Sequence, residues 1–278
     1  MLCMMVIFFS FLCLMVNNMI VWWSIFFLMT MLFVILNKFS IAYNALYNYF
    51  ILQETLGLLF LLLTISGVQT MILFMKIGVA PLHFWIFSIT NSLNWMNLMW
   101  FLTFQKLPFL IILLQILFNY VIVLLMFGLF VCLVQMFMMK SYKNLMVLSS
   151  TESFNWILMM FIFSFINVIF VFMYYFFVMI YMINKFVNLE KKKYFSWKTV
   201  LIFMNLPFSA NFFIKIMSLK ELLKNFNVLV LILLFFMFMS MLSLKFWMIT
   251  LSVKNVKNNE YKKIVYFVIM PLMLLIMI

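Results

Sequence analysis

The sequence predicts an all-α, polytopic membrane protein that forms a single domain over residues 1–278. Hydrophobic residues make up 70% of the chain and charged residues only 8%, whereas about a quarter of the residues in a soluble domain are charged. Apolar runs of roughly 17 to 25 residues recur from end to end, and each is long enough to cross the hydrocarbon layer of a bilayer. These observations exclude an ordinary soluble protein.

Polar clusters between the apolar runs divide the chain into about eleven predicted membrane-spanning helices. They cover approximately residues 1–16, 19–37, 45–64, 67–86, 95–117, 119–139, 145–165, 167–183, 199–218, 226–249 and 264–278. Several of these spans are short, so we expect tilted or broken helices.

The lysines provide an independent test of this division. The loops that follow even-numbered helices contain twelve lysines: Lys38, Lys140, Lys143, Lys185, Lys191, Lys192, Lys193, Lys198, Lys254, Lys257, Lys262 and Lys263. The loops that follow odd-numbered helices contain two, Lys220 and Lys224. Because positive loops stay inside, this asymmetry predicts an N-terminus on the inner side. It also explains the net charge of +13 without a nucleic-acid partner.

Residue usage indicates the genome that encodes the chain. The sequence has no Arg and no Asp, only four Gly and four Pro, but 39 Phe and 30 Met. Packing does not explain this bias, since membrane helices favour small residues at their contacts. An AT-rich animal mitochondrial gene does explain it. The predicted location is therefore the mitochondrial inner membrane, with the N-terminus in the matrix.

Four lysines lie within predicted spans. Lys245 is about one turn from the basic end of its helix and can extend to water. Lys76, Lys106 and Lys215 are deeper, where a lysine costs about 3 kcal/mol and usually marks an ion or proton pathway. The alternative is a set of ion pairs that fixes helix packing.

Glu54 and Lys76 are predicted partners. They lie at similar depths on consecutive antiparallel helices joined by a turn at residues 64–67, and attraction between opposite charges offsets part of their desolvation cost. The proton affinity of a buried amine depends on its counter-charge, so movement of one partner would gate the proton on the other.

The segment KIGVAPLHFW, residues 76–85, predicts a broken helix beside Lys76. Pro81 cannot donate a backbone hydrogen bond and clashes with the preceding turn, so the helix should open just past Gly78. Broken membrane helices are tolerated where neighbours or water satisfy the freed carbonyls. His83 follows the break and is a candidate for proton exchange near neutral pH, or a simple hydrogen-bonding residue.

Two further segments repeat this pattern, and a polar patch adds a second acid. Lys106 is followed by Pro108, and Pro207 precedes Lys215. Glu152 lies in SSTESFNW, residues 149–156, where it either contributes to a proton path or has a structural or interfacial role.

With these motifs the chain resembles the family of mitochondrially encoded NADH dehydrogenase subunit 2 of respiratory complex I (NADH:ubiquinone oxidoreductase), in its invertebrate type. The segments that carry the resemblance are YFILQ (49–53), MKIGVAPLHFW (75–85), LTFQKLP (102–108), LSS followed by Trp156, and LPFSANFFIK with Glu221. The resemblance implies an antiporter-like fold that lacks the three N-terminal helices of bacterial relatives.

The resemblance also implies a hydrated proton relay through Lys76, Lys106 and Lys215. The family's paired glutamate is missing here, with Thr30 or a neighbour in its place, and Ser153 stands where a histidine is expected. We hypothesise that Glu54 replaces the missing carboxylate.

The function expected from this resemblance is proton translocation across the inner membrane, coupled to NADH oxidation by ubiquinone, with no redox centre in this chain. NADH, FMN, iron–sulfur clusters and ubiquinone would bind other subunits. Expected partners are neighbouring antiporter-like and small core subunits of the membrane arm, accessory subunits, and lipids including cardiolipin.

The alternatives are an architectural subunit with a decayed proton path and a free-standing cation/proton antiporter. A haem-binding subunit is excluded, since bis-histidine ligation needs two histidines and the chain has one.

Overall fold

A computed structural model describes residues 2–40, 42–116, 121–139, 141–161, 165–192, 210–224 and 227–255. Within these ranges the regular secondary structure is entirely helical, which confirms the prediction of an all-α protein for this part of the chain. Its twelve helices are α1 (Leu2–Met15), α2 (Met19–Asn37), α3 (Tyr43–Leu62), α4 (Ser66–Ile77), α5 (Phe84–Thr90), α6 (Trp95–Leu102), α7 (Lys106–Ile116), α8 (Val121–Met138), α9 (Tyr142–Phe161), α10 (Phe165–Lys192), α11 (Ala210–Leu223) and α12 (Asn227–Asn255).

Four segments among the described residues are long and apolar enough to cross a membrane. They are Met19–Asn37, Tyr43–Leu62, Trp95–Ile116 and Val121–Met138. The shorter apolar helices include α1, whose exposed side chains Phe8 and Phe11 suit a lipid environment. The total of eleven spans stays a prediction, and its last span, residues 264–278, lies outside the described residues.

The predicted helix boundaries need two kinds of correction. The spans predicted over 67–86 and 95–117 are each two helices, separated by residues 78–83 and 103–105. Helix α10 continues to Lys192 rather than ending at residue 183, and α12 continues to Asn255 rather than residue 249. The sequence beyond each predicted end is rich in Lys and Asn, and Lys is among the better helix formers, so a polar segment can extend an apolar helix.

The chain divides into two compact units. The first comprises residues 1–128 and 140–151, and the second comprises residues 129–139 and 152–278. Helices α8 and α9 contribute to both units, so each unit is described here by itself.

Aromatic side chains form the core of the first unit. The Phe26 ring stacks on Phe109 at a centroid distance of 5.0 Å and meets the edge of Phe60 at 5.3 Å. Phe33 packs against Tyr49 at 4.5 Å. These contacts hold α2 against α3 and α7, and α4 packs on both α3 and α7.

In the second unit α11 packs between α10 and α12. The ring of Tyr174 on α10 meets Phe213 on α11 edge-on at 5.0 Å. Phe154 on α9 likewise meets Phe172 on α10 at 6.1 Å. This packing fixes the polar residues of α9, α11 and α12 described below.

Candidate functional site

Gly78 ends helix α4 in the left-handed backbone conformation, with φ of 73°. Its backbone N–H and that of Val79 donate to the carbonyl of Phe74, so the last turn closes on itself. An L side chain rarely adopts this conformation, and a Cβ atom at Gly78 would also lie 2.0 Å from Cδ1 of Ile86. Glycine at this position therefore allows the chain to turn away beside Lys76.

Side chains from neighbouring helices satisfy carbonyls near the end of α4. The indole N–H of Trp85 on α5 donates to the carbonyl of Met75 at 2.8 Å. The amide of Gln53 on α3 donates to the carbonyl of Lys76 at 3.1 Å. Inside a membrane such groups are costly without partners, so these two bonds stabilise the break.

The amine of Lys76 lies against aromatic rings. It is 4.6 Å from the centroid of Phe26 and 5.8 Å from that of Phe109, within the range of a cation–π interaction. The side chain is only 4% exposed. A Cβ atom at Gly57 would lie 3.3 Å from Nζ, so glycine in α3 leaves room for the amine.

Glu54 is on α3, which packs directly against α4. Its Oε1 atom accepts a hydrogen bond of 2.6 Å from the hydroxyl of Thr30 on α2. The charges of Glu54 and Lys76 interact electrostatically. However, the direct ion pairs among the described residues join other side chains, so the two groups are neighbours without a salt bridge.

A second break separates α6 from α7 at residues 103–105, immediately before Lys106. Pro108 is the third residue of α7, where its missing N–H has no partner to lose. Gln105 in the break donates a hydrogen bond to the hydroxyl of Tyr49. The break thus places a buried amide next to the buried amine of Lys106.

A small cavity lies between the two lysines of the first unit. Its lining includes Lys76, Gln105, Lys106 and Phe109, and the space open to the centre of a water molecule is about 10 Å³. Such a volume is near the minimum for one water. The Oε1 atom of Gln105 is buried and accepts no hydrogen bond from the described residues. The cavity is therefore a site where a water would satisfy a polar group.

The second unit contains a buried ion pair. Nζ of Lys215 on α11 lies 2.5 Å from Oε1 of Glu152 on α9, and the side chains are 1% and 2% exposed. Lys215 also donates to the hydroxyl of Ser240 on α12 at 2.7 Å, and the indole of Trp156 donates to Glu152 at 3.3 Å. The pair is thus held by three helices.

Comparison with known proteins assigns the family. The chain is 50% identical over 270 residues to a protein of Caenorhabditis elegans named NADH-ubiquinone oxidoreductase chain 2, covering 97% of this chain and 96% of that protein. It is 45% identical over 272 residues to the Ascaris suum protein of the same name, covering 98% and 90% of the two chains. A protein of that name from Artemia salina is 34% identical over 64 residues, 22% of this chain and 47% of that one.

The chain belongs to the NADH-ubiquinone oxidoreductase chain 2 family. No family model matches it. The family resemblance read from the sequence is thereby confirmed, and the matched length includes the two breaks and the buried lysines described above.

In this member of the NADH-ubiquinone oxidoreductase chain 2 family, the residues predicted to form a relay have separate surroundings. Glu54, Lys76 and Lys106 lie in the first unit, and Glu152 with Lys215 in the second. The pairing of Glu152 with Lys215 was not predicted. Their separation of 63 positions carries no local pattern that could have indicated it.

Two other predicted site residues complete this account. His83 lies in the break between α4 and α5, fully buried, with its ring against Phe84 and Phe87 at centroid distances of 5.2 and 5.7 Å. Pro207 lies outside the described residues.

Sequence reasoning also missed polar side chains that support the buried lysines. Gln53, Gln105 and Ser240 are each buried and each contact either a lysine or the segment beside it. The signal that could have found them is a glutamine or serine inside a strongly apolar span, since an uncharged polar group in lipid also needs a partner.

Proposed function

We propose that this chain is a core membrane-arm subunit of respiratory complex I in the mitochondrial inner membrane, and that it translocates protons coupled to NADH oxidation by ubiquinone. Its curated relatives carry the name NADH-ubiquinone oxidoreductase chain 2. Four apolar segments of spanning length support a membrane location. The lysine asymmetry of the loops supports about eleven spans with the N-terminus in the matrix, and the family resemblance implies that these spans form an antiporter-like fold.

The observation that carries this proposal is the buried pair of Lys215 and Glu152. Removing two charges from water is costly, and replacing such a pair by apolar residues is often neutral or stabilising. A buried pair is therefore weak evidence for stability and favours a functional role. The Oε2 atom of Glu152 accepts no hydrogen bond from the described residues, so the carboxylate keeps capacity for a proton or a water.

In the first unit Lys76 and Glu54 would act as the switch. Glu54 would supply the carboxylate that is missing near Thr30, and its hydrogen bond to the Thr30 hydroxyl brings it to that position. A rearrangement that moves Glu54 towards or away from Lys76 changes the proton affinity of the amine. The cavity beside Gln105 offers room for one water between Lys76 and Lys106.

The remaining roles follow the order of these residues. Lys106 would be the central carrier, His83 a site of proton exchange beside the first break, and Lys215 with Glu152 the link towards a neighbouring subunit or an exit. The chain would hold no redox cofactor of its own. NADH, FMN, iron–sulfur clusters and ubiquinone would be bound by other subunits, and redox energy would arrive through conformation or electrostatics.

The proposed partners are the other membrane-arm subunits, including antiporter-like and small core subunits, together with accessory subunits. The exposed apolar side chains of α1, α3 and α8 would face such subunits or lipids, among them cardiolipin.

The test is the Lys106→Met variant of the assembled complex in sealed vesicles. Removing this amine should lower both the number of protons moved per electron and the rate of NADH oxidation. Lys106 is a better target than Lys215, because loss of Lys215 would leave the buried Glu152 carboxylate without its ion-pair partner. Lys245→Met, which removes a partly exposed lysine at the end of the apolar segment Leu229–Lys245, is the control and should leave both quantities unchanged.

Each alternative function makes a different forecast for these measurements. An architectural subunit would give unchanged stoichiometry and turnover in Lys106→Met. A free-standing antiporter would exchange cations for protons when purified apart from the complex. Either result would replace the proposed function.

A further inference from the structure

The hydroxyl of Thr30 lies within hydrogen-bond distance of two acceptors. Its oxygen is 2.8 Å from the backbone carbonyl oxygen of Phe27, one turn earlier in α2, and 2.6 Å from Oε1 of Glu54 on α3. A hydroxyl carries a single proton, so it can donate to only one of them at a time. The Thr30 side chain is completely buried, so bulk water does not supply a second donor.

We propose that Thr30 is a positioning residue that holds the Glu54 carboxyl in both of its protonation states. An ionised carboxylate only accepts hydrogen bonds, so the Thr30 proton points to Glu54 in that state. A protonated carboxyl can donate, and the Thr30 oxygen then accepts a hydrogen bond from it while the Thr30 O–H donates to the carbonyl of Phe27. Rotation about one side-chain bond keeps the Thr30 hydroxyl and Oε1 of Glu54 hydrogen-bonded to each other before and after the proton arrives.

The surroundings leave few competitors for this role. Helix α3 packs against α2, α4 and α5. Neither α2 nor α5 contains a charged or titratable residue. Lys76 on α4 and Tyr49 on α3 itself interact electrostatically with Glu54. Thr30 is the side chain that bonds the Glu54 carboxyl directly in the described part of the chain.

This inference deepens the proposed function, since it requires Glu54 to gain and lose a proton. Its test uses infrared difference spectroscopy of the intact complex in lipid as the pH is changed. The band of a protonated carboxyl that disappears in Glu54→Gln identifies Glu54. Measuring that band reports on protonation itself and does not depend on whether protons are pumped.

Thr30→Val removes the hydroxyl and keeps the shape of the side chain. We expect the Glu54 band to shift in frequency. We also expect the band to broaden, because the carboxyl loses its fixed hydrogen-bond partner in both protonation states. Thr30→Ser, which keeps the hydroxyl, should restore both properties.

Thr55→Val is the matched control. Thr55 is next to Glu54 on the same helix, but its hydroxyl donates to the carbonyl of Leu52 and is exposed. This variant should leave the Glu54 band unchanged. The proposal is overturned if Thr30→Val gives the wild-type frequency and width of the band, if Thr30→Ser behaves like Thr30→Val, or if no carboxyl band is lost in Glu54→Gln. Unchanged pumping with a shifted band would count against the proposed function alone.

Discussion

The amine of Lys215 and the carboxylate of Glu152 are in direct contact, 2.5 Å apart, inside the second unit. Each is almost completely buried, and Ser240 and Trp156 supply one further hydrogen bond apiece. The attraction between the two charges offsets the free-energy cost of removing each of them from water. The effect of a substitution should therefore depend on whether it removes one charge or both.

Glu152→Gln should strongly destabilise the subunit, because it leaves the Lys215 ammonium buried without a counter-charge. Breaking a buried pair from one side costs about 3–5 kcal/mol. The double variant Glu152→Gln with Lys215→Met should recover much of that loss while abolishing any transport through this pair. Thermal unfolding of the assembled complex measures the first effect and vesicle acidification the second. A double variant as unstable as Glu152→Gln alone would contradict this account.

Ser240→Ala should weaken the position of the Lys215 amine without removing a charge. Ser240 accepts from Lys215 and donates to the carbonyl of Met237. Loss of a hydrogen bond to a charged group costs about 1.5–3 kcal/mol, so thermal stability and proton translocation should both fall. Ser243→Ala is the matched control on the same helix, since Ser243 bonds Met136 and the Ser240 carbonyl instead. Equal effects of the two variants would argue against a specific role for Ser240.

Gly78→Ala should damage the break that ends α4. A non-glycine residue in the left-handed region costs about 1–2 kcal/mol, and the new Cβ atom would also clash with Cδ1 of Ile86 at 2.0 Å. Adding Ile86→Val removes that δ carbon but keeps Cγ1, which would lie 2.7 Å from the new Cβ atom, so it should recover only part of the steric loss. The yield of intact complex on native gels and its melting temperature are the measurements. Full recovery in the double variant would show that backbone strain is negligible.

The cavity between Lys76 and Lys106 should contain one ordered water. The cavity volume of about 10 Å³ is near the minimum for one water. The Oε1 atom of Gln105 accepts no hydrogen bond from the described residues, so a water could donate to it. A density map of the intact complex that resolves water should show it within hydrogen-bond distance of Gln105. Gln105→Leu should eliminate the water and slow proton transfer. An empty, dry cavity in the wild-type map would remove this link from the proposed path.

The helix breaks could be predicted from the sequence because their causes are local. Gly78 and Pro81 restrict the backbone directly, and the helix ends where those restrictions begin. In the second break the signal was less exact, since Pro108 follows the interruption and lies in the first turn of α7. A proline indicates the region in which a helix breaks. The packing of neighbouring helices determines which residues of that region leave the helix.

The partners of the buried charges could not be predicted in the same way. Matching depth on adjacent helices placed Glu54 and Lys76 on packed helices, as α3 and α4 are, but depth does not fix rotation about a helix axis. Glu54 accordingly accepts its hydrogen bond from Thr30 on α2, the helix that precedes α3, and not from a residue of α4. Glu152 and Lys215 are on non-consecutive helices, and no turn relates their positions.

The aromatic neighbours of Lys76 give this amine a freedom that Lys215 lacks. The Phe26 ring, whose centroid lies 4.6 Å from the amine, attracts a desolvated cation by about 2 kcal/mol. A ring also offers a broad face in place of one fixed oxygen. A small displacement of the Lys76 amine across that face therefore breaks no hydrogen bond to a fixed oxygen, whereas a displacement of the Lys215 ammonium breaks its contact with Glu152. The two buried amines of this chain therefore differ in how firmly their surroundings fix the position of the nitrogen.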